Sequence, residues 1–464
     1  MESMAKTIEK RIQREAHILC FGFPAQGHLS PILQFCKRLA SKGVKVTLIS
    51  TCTTSTTSKF IQTQASSIKV EFISDGTEEE KSKATSPEDY FERYKVCVSQ
   101  SLSEFIEKQL NSECPPKFLV YDSIIPWIFD VAKSFGIDGA PFFTQPWAAN
   151  SINYHFLQGR FKVPLEEPIV TLPSMPPLRV NDLPSYFDVN GTYPLSLDLL
   201  VNQFSNIEQP NWLFCNSFDK LEDEIVKWMA SKYPVKNIGP SIPSMYFDKR
   251  LESDKAYGLS LFKPNTDTCM TWLDSKEIDS VVYVSFGSIA ALEKEQMEEV
   301  AWGLKRSNSF FFWVVRESES EKLPSNFLEG TSEKCLVVSW CSQPEVLAHK
   351  SVGCFMTHCG WNSTLEALSF GVPMVAMPQL FDQTTNAKYV EDVWHVGVRV
   401  RMNEAKLVTR EEIELCIKEV MEGERSKDFR RNSEKWKELA KEAVDEGGSS
   451  DKNIEEFVAK LLSS

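Results

Sequence analysis

The chain has 464 residues, which leaves room for two to four domains at roughly 150 residues each. Hydrophobic residues make up 42% of the sequence, so a large packed core is expected and general disorder is excluded. The net charge of −13 argues against nucleic acid as a partner, and it means that any anionic ligand must be held by local features of a site.

Three further features of the sequence predict a soluble protein of the cytoplasm. The twelve cysteines are scattered, without a CxxC pair or metal-ligand spacing, so we expect free thiols and no metal site. The N-terminal segment, residues 1–15, is charged and lacks the apolar region of a secretory leader. No run of about 18 apolar residues occurs, so no membrane span is predicted.

Short apolar runs alternate with longer amphipathic ones in the first half of the chain. The predicted strands lie at 17–23, 44–50, 68–74, 118–122 and 139–144, and the predicted helices lie at 31–42 and 87–110. Strands that alternate with helices predict a parallel sheet with right-handed crossovers.

The same alternation returns in the second half of the chain. Strands are predicted at 281–286, 310–315, 336–340, 352–357 and 372–377, a helix at 293–306, and a helical tail at 409–462. A proline-containing stretch of little periodicity separates the two halves and is interpreted as a linker. We therefore predict an α/β protein of two Rossmann-like domains with parallel sheets, facing each other across a cleft, with bounds of 1–240, a linker at 241–268, and 269–444.

A histidine lies at the mouth of the first predicted strand. The segment Gly22–Gly27 has the outer glycines of a P-loop, but His28 and Leu29 stand where a P-loop has Lys and Ser/Thr. No GxG occurs anywhere, so the dinucleotide fingerprint is absent too. His28 precedes a predicted helix, a position that disfavours the imidazolium and keeps a neutral nitrogen available as a base. The alternative is a loop histidine that makes only a turn hydrogen bond.

Asp122 ends the predicted strand at 118–122, on the same sheet edge as His28. A hydrogen bond from the ring of His28 to Asp122 would orient the imidazole and stabilise its protonated form. Asp122 could instead cap a helix that starts near Ile125 or Pro126. Spacing alone does not decide between these two roles.

The segment VGCFMTHCGWNSTLEAL, residues 352–368, predicts a strand, a glycine turn and a helix. Asn362 or Ser363 is expected as the helix N-cap, and the free N–H groups there form a site for an anion such as a diphosphate. His358, at the strand end, can donate a further hydrogen bond. Ser363 and Glu366 have the spacing of a capping box, so Glu366 is either a helix cap or a ligand of ribose hydroxyls.

Two further strand exits carry candidate ligand contacts. Trp340 follows a predicted strand and could stack on a nucleobase, although a core role is the ordinary one for a tryptophan. Asp382 and Gln383 follow another predicted strand and suit sugar hydroxyls. A solvated loop pair is the alternative for these two residues.

The 44 residues from Trp340 to Gln383 resemble the signature box of the plant family-one UDP-dependent glycosyltransferases. The likeness covers nearly the whole chain and includes the FPAQGH segment, Asp122 and VVYVSFGS at 281–288. It implies the GT-B architecture, in which the acceptor lies mainly in the first domain and the UDP-sugar mainly in the second. It also implies that the last helix, 445–464, packs back on the first domain.

The resemblance assigns roles to individual residues. His28 is implied to be the general base and Asp122 its partner. The implied contacts of the UDP-sugar are Trp340, Cys341 and Gln343 at the uracil, Glu366 at the ribose, Ser288, His358, Asn362 and Ser363 at the diphosphate, and Trp361, Asp382, Gln383 and Thr144 around the sugar.

The implied activity is an inverting, metal-independent transfer of glucose from UDP-glucose to a hydroxyl or carboxyl group. The glutamine at the last position of the box accompanies glucose as the donor sugar. The acceptor is a small apolar plant metabolite such as a phenolic, flavonoid or steroid. UDP-glucose is a co-substrate, no cofactor, nucleic acid or membrane partner is implied, and a monomer is expected.

Aromatic residues near predicted loops of the first domain favour a flat apolar acceptor, although core packing accounts for them equally well. These residues are Phe23, Tyr90, Trp147, Tyr154, Phe187 and Phe204. Two rival classes are an NAD-dependent oxidoreductase and a non-catalytic binder of sugar nucleotides. The missing GxGxxG counts against the first, and His28 with Asp122 counts against the second.

Overall fold

The structure is a computed structural model that describes residues 16–51, 68–76, 86–188, 194–251, 266–327 and 334–463. Two subjects of the sequence predictions lie outside these ranges. They are the charged N-terminal segment, 1–15, and residues 252–265 of the expected linker.

Short strands, mostly buried, form the frame of the described chain. In chain order they are β1 (His17–Phe21), β2 (Lys45–Thr51), β3 (Lys69–Ile73), β4 (Pro116–Asp122), β5 (Asp138–Phe143), β6 (Ile169–Val170), β7 (Leu178–Arg179), β8 (Leu213–Cys215), β9 (Val235–Asn237), β10 (Val281–Ser285), β11 (Phe310–Val314), β12 (Cys335–Val338), β13 (Val352–Thr357), β14 (Met374–Ala376) and β15 (Gly397–Arg399). All ten strands predicted from the sequence are present, each within two residues of its predicted bounds.

Two parallel sheets organise these strands. The first has the order β3-β2-β1-β4-β5-β8-β9, and the second has the order β12-β11-β10-β13-β14-β15, while β6 and β7 form a small antiparallel pair. β1 and β10 are buried at every residue, because helices cover both faces of such a sheet, and this explains their unbroken apolar sequences. The prediction of two Rossmann-like domains in a GT-B arrangement is confirmed.

The helices lie on the faces of the sheets and between them. In chain order they are α1 (Gln26–Ser41), α2 (Pro87–Leu110), α3 (Trp127–Ser134), α4 (Trp147–Leu157), α5 (Pro194–Asn202), α6 (Asp223–Ala230), α7 (Thr266–Asp274), α8 (Lys294–Ser307), α9 (Gln343–Leu347), α10 (Trp361–Phe370), α11 (Gln383–Lys388), α12 (Arg410–Met421), α13 (Ser426–Val444) and α14 (Ser449–Ser463). Across the described ranges, none of the helices has the length and apolar character needed to cross a membrane.

Helix α1 begins five residues earlier than the sequence predicted. The prediction placed Pro31 at the first turn, where proline is most common, but Pro31 lies inside the helix and Gln26 is its first residue. His28 therefore lies in the first turn of α1 rather than in the loop ahead of it.

The C-terminal helix α14 packs on the first sheet although it follows the second domain in sequence. The ring of Phe457 lies edge-on to Phe118 and Phe214, with centroids 5.1 and 4.9 Å away. Lys42 forms an ion pair with the buried Asp451 at 2.9 Å, which fixes the start of the same helix against α1. These contacts join the end of the chain to the domain in which it begins.

Candidate active site

The two sheets bring their strand exits to one cleft of about 370 Å³. In each sheet the strand order reverses at one place, between β1 and β4 and between β10 and β13, and ligands of such folds bind outside the carboxyl ends of the strands at that place. Of the sequence-predicted site residues, those that line the cleft are His28, Thr144, Ser288, Trp340, Cys341, Gln343, His358, Trp361, Asn362, Ser363, Asp382 and Gln383. The other two, Asp122 and Glu366, lie behind this lining and bond to members of it.

His28 and Asp122 form a hydrogen-bonded pair at the exit of the first sheet. His28 Nδ1 lies 2.9 Å from Asp122 Oδ2, and Thr144 Oγ1 lies 3.1 Å from the same nitrogen. Asp122 is fully buried, and its other oxygen accepts a hydrogen bond from the backbone N–H of Ile124. A carboxylate at Nδ1 favours the tautomer with the proton on Nδ1, which leaves Nε2 as the basic nitrogen.

The alternative role of Asp122 as a helix cap is wrong. Helix α3 begins at Trp127 with Pro126 before it, and no side chain caps it. The carboxylate is therefore available to His28, which the sequence places 94 positions away.

The pKa of His28 is raised above the ordinary value for histidine. Burial lowers this pKa, but the negative charge and the hydrogen bond of Asp122 raise it more, with a further contribution from Asp382. The sequence argument that the helix start keeps the ring neutral is therefore wrong in direction, because a buried carboxylate in contact with the ring outweighs the helix end.

The anion site begins two residues before the expected place. Helix α10 starts at Trp361 with Gly360 as its N-cap, in extended conformation with ψ of 143° and without a side-chain cap. The predictions of an N-cap at Asn362 or Ser363, and of a capping box with Glu366, are wrong because these residues lie inside the helix. The unpaired N–H groups are consequently those of Trp361, Asn362 and Ser363.

His358 is held between two glycines at the same corner. A Cβ on Gly287 or Gly360 would lie 2.6 or 2.5 Å from His358 Nε2, so only glycine fits at either position. Burial lowers the pKa of His358 to about 4, so the ring is neutral near pH 7. Its Nδ1 is buried, while the side chain as a whole lines the cleft.

The next corner of the cleft is a hydrogen-bonded cluster around Gln343. Its Nε2 donates to Ser363 Oγ at 2.8 Å and to Glu366 Oε2 at 2.7 Å, while Tyr283 donates to its Oε1 at 3.3 Å. Cys341 is buried beside Tyr283, and burial raises the pKa of its thiol, so it stays protonated. Gln343 therefore orients the carboxylate of Glu366, a role that sequence reasoning missed.

Trp340 is half-buried at the edge of this cluster and lines the cleft after β12. This exposure is consistent with a ring face that a planar ligand can cover, and it differs from the full burial of core tryptophans such as Trp147 and Trp313.

Asp382 and Gln383 are both buried, so the alternative of a solvated loop pair is wrong. Burial raises the pKa of Asp382 to about 6, although a hydrogen bond from Asn386 acts against this. Gln383 Oε1 accepts hydrogen bonds from the backbone N–H groups of Gln379 and Leu380, at 2.9 and 2.8 Å. Its Nε2 has no partner within the described part of the chain, so the amide offers a ligand its donor group rather than both groups.

Direct hydrogen bonds join the two domains beside His28. Asn362 Nδ2 donates to the carbonyl of Gly27 at 2.8 Å, and Trp361 Nε1 donates to the carbonyl of Asn216 at 2.6 Å. The carbonyl of Gly27 is free for this bond because its partner within helix α1 would be the N–H of residue 31, which is a proline. Proline four residues after Gly27 was the available sequence signal, but the partner lies 335 positions away.

A second set of contacts joins the first domain to helix α11, the loop before it and strand β15. Asp182 forms an ion pair with Arg399 at 3.0 Å, and Thr384 donates to the carbonyl of Leu183 at 2.6 Å. The backbone N–H of Ser185 donates to the carbonyl of Phe381 at 2.8 Å, next to Asp382. These residues were not predicted, because no local pattern distinguishes them.

Comparisons with known proteins identify UDP-sugar transferases among the proteins that this chain resembles. The family model described as UDP-glucoronosyl and UDP-glucosyl transferase matches residues 216–438. The chain is 57% identical over 449 residues to mogroside I-E synthase of Siraitia grosvenorii, covering 96% of this chain and 98% of that protein. It is 52% identical over 448 residues to UDP-glycosyltransferase 74E2 of Arabidopsis thaliana, with the same two coverages.

Solved structures are similar over the same span. The crystal structure of Os79 from O. sativa in complex with UDP superposes with a TM-score of 0.87 at 37% identity, covering 96% of this chain and 100% of that one. A UDP-glucosyltransferase from Polygonum tinctorium that glucosylates indoxyl superposes with a TM-score of 0.84 at 28% identity, covering 97% of this chain and 99% of that one.

Proposed function

We propose, from the premise that the chain belongs to the UDP-glycosyltransferase family, that it transfers glucose from UDP-glucose to a hydroxyl or carboxyl group of a small apolar plant metabolite, with inversion at the anomeric carbon. The observation that supports this most is the position of the His28–Asp122 pair. It faces the first turn of helix α10 across one cleft, so a base and an anion site meet there.

The reaction that this geometry supports is a single displacement. The acceptor oxygen forms a bond to the anomeric carbon while its proton passes to His28 Nε2, and the bond from that carbon to UDP breaks. Attack opposite to the leaving group converts the α-linked sugar of UDP-glucose into a β-glucoside. Asp122 stabilises the imidazolium that forms, since the carboxylate already contacts Nδ1.

The departing UDP gains negative charge in this step. The free N–H groups of Trp361, Asn362 and Ser363, together with the positive end of α10, can stabilise that charge. The ring of His358 and the turn that carries Ser288 lie at the same corner. No group of three or more metal-ligating side chains occurs in the parts of the chain that the structure describes, and we propose that helix α10 acts at the diphosphate without a metal ion.

The uridine end fits the cluster around Gln343. We assign Trp340 to stacking on the uracil, since its half-buried ring lines the cleft. We assign Glu366 to the ribose hydroxyls, because a carboxylate can accept from both and Gln343 holds it in place. Cys341 shapes the base pocket through packing, since burial raises the pKa of its thiol and keeps it uncharged.

The sugar end fits the side chains between Thr144 and Gln383. Asp382 can accept from a sugar hydroxyl, and Gln383 can donate to another through its free Nε2. Thr144 lines the cleft and contacts Nδ1 of His28, and we assign it to the sugar because it lies in this lining. Trp361, whose indole N–H is engaged by Asn216, can contribute only its ring to this corner.

The acceptor is met by an apolar wall on the first domain. Phe23, which lies edge-on to His28 with centroids 5.6 Å apart, forms this wall with Ile124, Leu199 and Leu200. Among the aromatic residues singled out in the sequence, Phe23 is a cleft residue, whereas Trp147, Tyr154, Phe187 and Phe204 are buried in the core. The wall supports an apolar acceptor that presents one reactive oxygen to His28.

The direct test is a transfer assay. The protein is incubated with UDP-glucose and a panel of flavonoids, phenolic acids and steroids, and products are analysed by mass spectrometry. We expect at least one product heavier by one hexose, together with release of UDP. UDP-glucose binding without transfer to any acceptor would favour a non-catalytic binder instead.

We also propose that the enzyme acts as a monomer in the cytoplasm. The residues assigned to donor, acceptor and base come from one chain, and the described cysteines are free thiols. Sedimentation of the purified protein tests the first point, and a fluorescent fusion in plant cells tests the second.

A further inference from the structure

The cleft that would receive a nucleoside diphosphate has little positive charge. Arg316 is the one lysine or arginine that lines it among the residues that the structure describes, and the whole chain carries a net charge of −13. A diphosphate is strongly anionic, so its binding is sensitive to each fixed cation in a partly enclosed site.

Arg316 is placed at this corner by the sheet. It follows β11, which pairs with β10 in parallel, so the exits of the two strands are adjacent. Its guanidinium donates one hydrogen bond to the carbonyl of Ser288 and one to the carbonyl of Ala290. Its side chain is 18% exposed, and its Nη2 forms a long ion pair of 3.9 Å with Glu319, whose carboxylate also pairs with Lys322 at 2.8 Å.

The two carbonyl contacts fix the turn after β10. Gly287 in this turn has a φ of +73° and lies against the ring of His358. The neighbouring groups must therefore hold the turn in this conformation. A planar guanidinium can hold two carbonyls at once, which an ammonium group on a flexible stem does less well. The turn that carries Ser288 is thereby fixed beside His358, at the same corner of the cleft as the start of helix α10.

We propose that Arg316 is a positioning residue for the diphosphate of the donor, which orients the turn 286–290 and supplies the fixed positive charge of the cleft. This inference rests on the proposed function, because it assumes that the cleft binds a UDP-sugar. We expect Arg316 to act on the diphosphate, because its hydrogen bonds go to the turn that carries Ser288 rather than to Gln343 or Ser363. Since β11 and β12 pair in register, Arg316 also follows the strand next to the one that Trp340 follows, so the comparison with uridine is the deciding measurement.

The test compares the affinities of UDP and uridine for the wild type, Arg316→Gln and Arg316→Lys by calorimetry. The ratio of the two affinities isolates the diphosphate. In Arg316→Gln we expect UDP affinity to fall roughly tenfold to a hundredfold while uridine affinity stays within about threefold, as for loss of a hydrogen-bonded charge. Arg316→Lys keeps the positive charge but loses the planar guanidinium that bonds to two carbonyls, so its UDP affinity should lie between those of the wild type and Arg316→Gln. Added salt should weaken UDP binding less in Arg316→Gln than in the wild type.

Lys334→Gln is the matched control, because Lys334 also donates to a backbone carbonyl, that of Asn308, but within the parts of the chain that the structure describes it neither lines the cleft nor contacts Glu319. It should leave the ratio unchanged. Equal losses of UDP and uridine in Arg316→Gln, or no loss of UDP, would overturn the inference, and retained uridine binding shows that the variant is folded. If the wild type bound no UDP, both the proposed function and the inference about Arg316 would be wrong. If the enzyme were active but Arg316→Gln left the ratio of UDP to uridine affinity unchanged, only the inference about Arg316 would be wrong.

Discussion

At the scale of single residues, the proposed reaction depends on the pKa and the tautomer of His28. The charge of Asp122 raises the pKa of His28 in spite of burial, and the contact at Nδ1 leaves Nε2 free for the acceptor. A base with a raised pKa accepts a proton more strongly. As the pH falls, however, it becomes protonated, and therefore inactive as a base, at a higher pH than an ordinary histidine. The two effects can be separated by substitution of each member of the pair.

Replacement of the base itself gives the largest expected effect. His28→Ala should lower kcat by roughly 10²–10⁴-fold, because a general base contributes about that much. UDP affinity should be unchanged, since the uridine and diphosphate assignments lie on the other domain. Stopped assays with the best acceptor and calorimetry with UDP provide the two readings. Normal kcat in this variant would remove His28 from the reaction.

Asp122→Asn should change the pH dependence. Without the negative charge the pKa of His28 falls, so the acidic limb of the kcat/KM profile should move to lower pH. The plateau rate should also fall, because the imidazolium that forms during transfer has lost its partner. An unmoved limb, measured over the full profile with a hydroxyl acceptor, would contradict the link between the two residues.

Gln383→Glu should separate sugar contact from loop anchoring. The variant keeps an oxygen for the N–H groups of Gln379 and Leu380 but loses the free amide donor. We expect kcat/KM for UDP-glucose to fall about tenfold to a hundredfold, with a much smaller change in UDP affinity. Gln379→Glu places the same charge in the same loop outside the lining of the cleft and serves as the control. Equal losses for UDP and UDP-glucose would remove the sugar contact.

At the scale of elements, helix α1 and helix α10 are connected through a defect in one of them. Pro31 supplies no N–H for Gly27, and the carbonyl of Gly27 accepts from Asn362 instead. The helix that carries the base is thereby bound to the helix that faces the diphosphate. Without this proline the first turn of α1 would satisfy its own carbonyl.

Pro31→Ala should therefore weaken the connection without harming the fold. Alanine restores an N–H that competes for Gly27, so kcat should fall about two- to tenfold, as for one net hydrogen bond, at an unchanged or higher Tm. A double-mutant cycle with Asn362→Ala checks whether the effect of Pro31→Ala passes through the hydrogen bond between Asn362 and Gly27. If Pro31→Ala lowers kcat equally when Asn362 is already alanine, the effect does not pass through this bond.

The elements also show what sequence can predict. The long apolar runs of β1 and β10 predicted central strands correctly, because burial on both faces excludes polar residues there. The three-residue strands β8 and β9 were missed, since such short runs carry no periodicity. The start of α10 was misplaced, because Gly360 caps it with its backbone and offers no side-chain signal.

At the scale of the whole molecule, sequence motifs identified the site residues, but only the folded structure shows which residues they bond to. The exits that carry His28 and Asp122 followed from strand order, but the bond between them requires two strands that are distant in sequence to be neighbours. The contacts of Asn362 with Gly27, and of Asp182 with Arg399, join the domains across more than 200 positions. No spacing rule reaches that far.

The proposed mechanism requires the two domains to bring a base and an anion-binding helix to opposite sides of one anomeric carbon. NMR of the product made from UDP-glucose in the presence of EDTA gives the anomeric configuration that checks this arrangement. We expect a β-glucoside, formed at the same rate with and without the chelator, because the acceptor oxygen that His28 deprotonates attacks opposite to UDP and helix α10 stabilises the charge on the departing UDP. An α-glucoside, or transfer that stops with EDTA and returns with a divalent metal, would contradict the proposed mechanism.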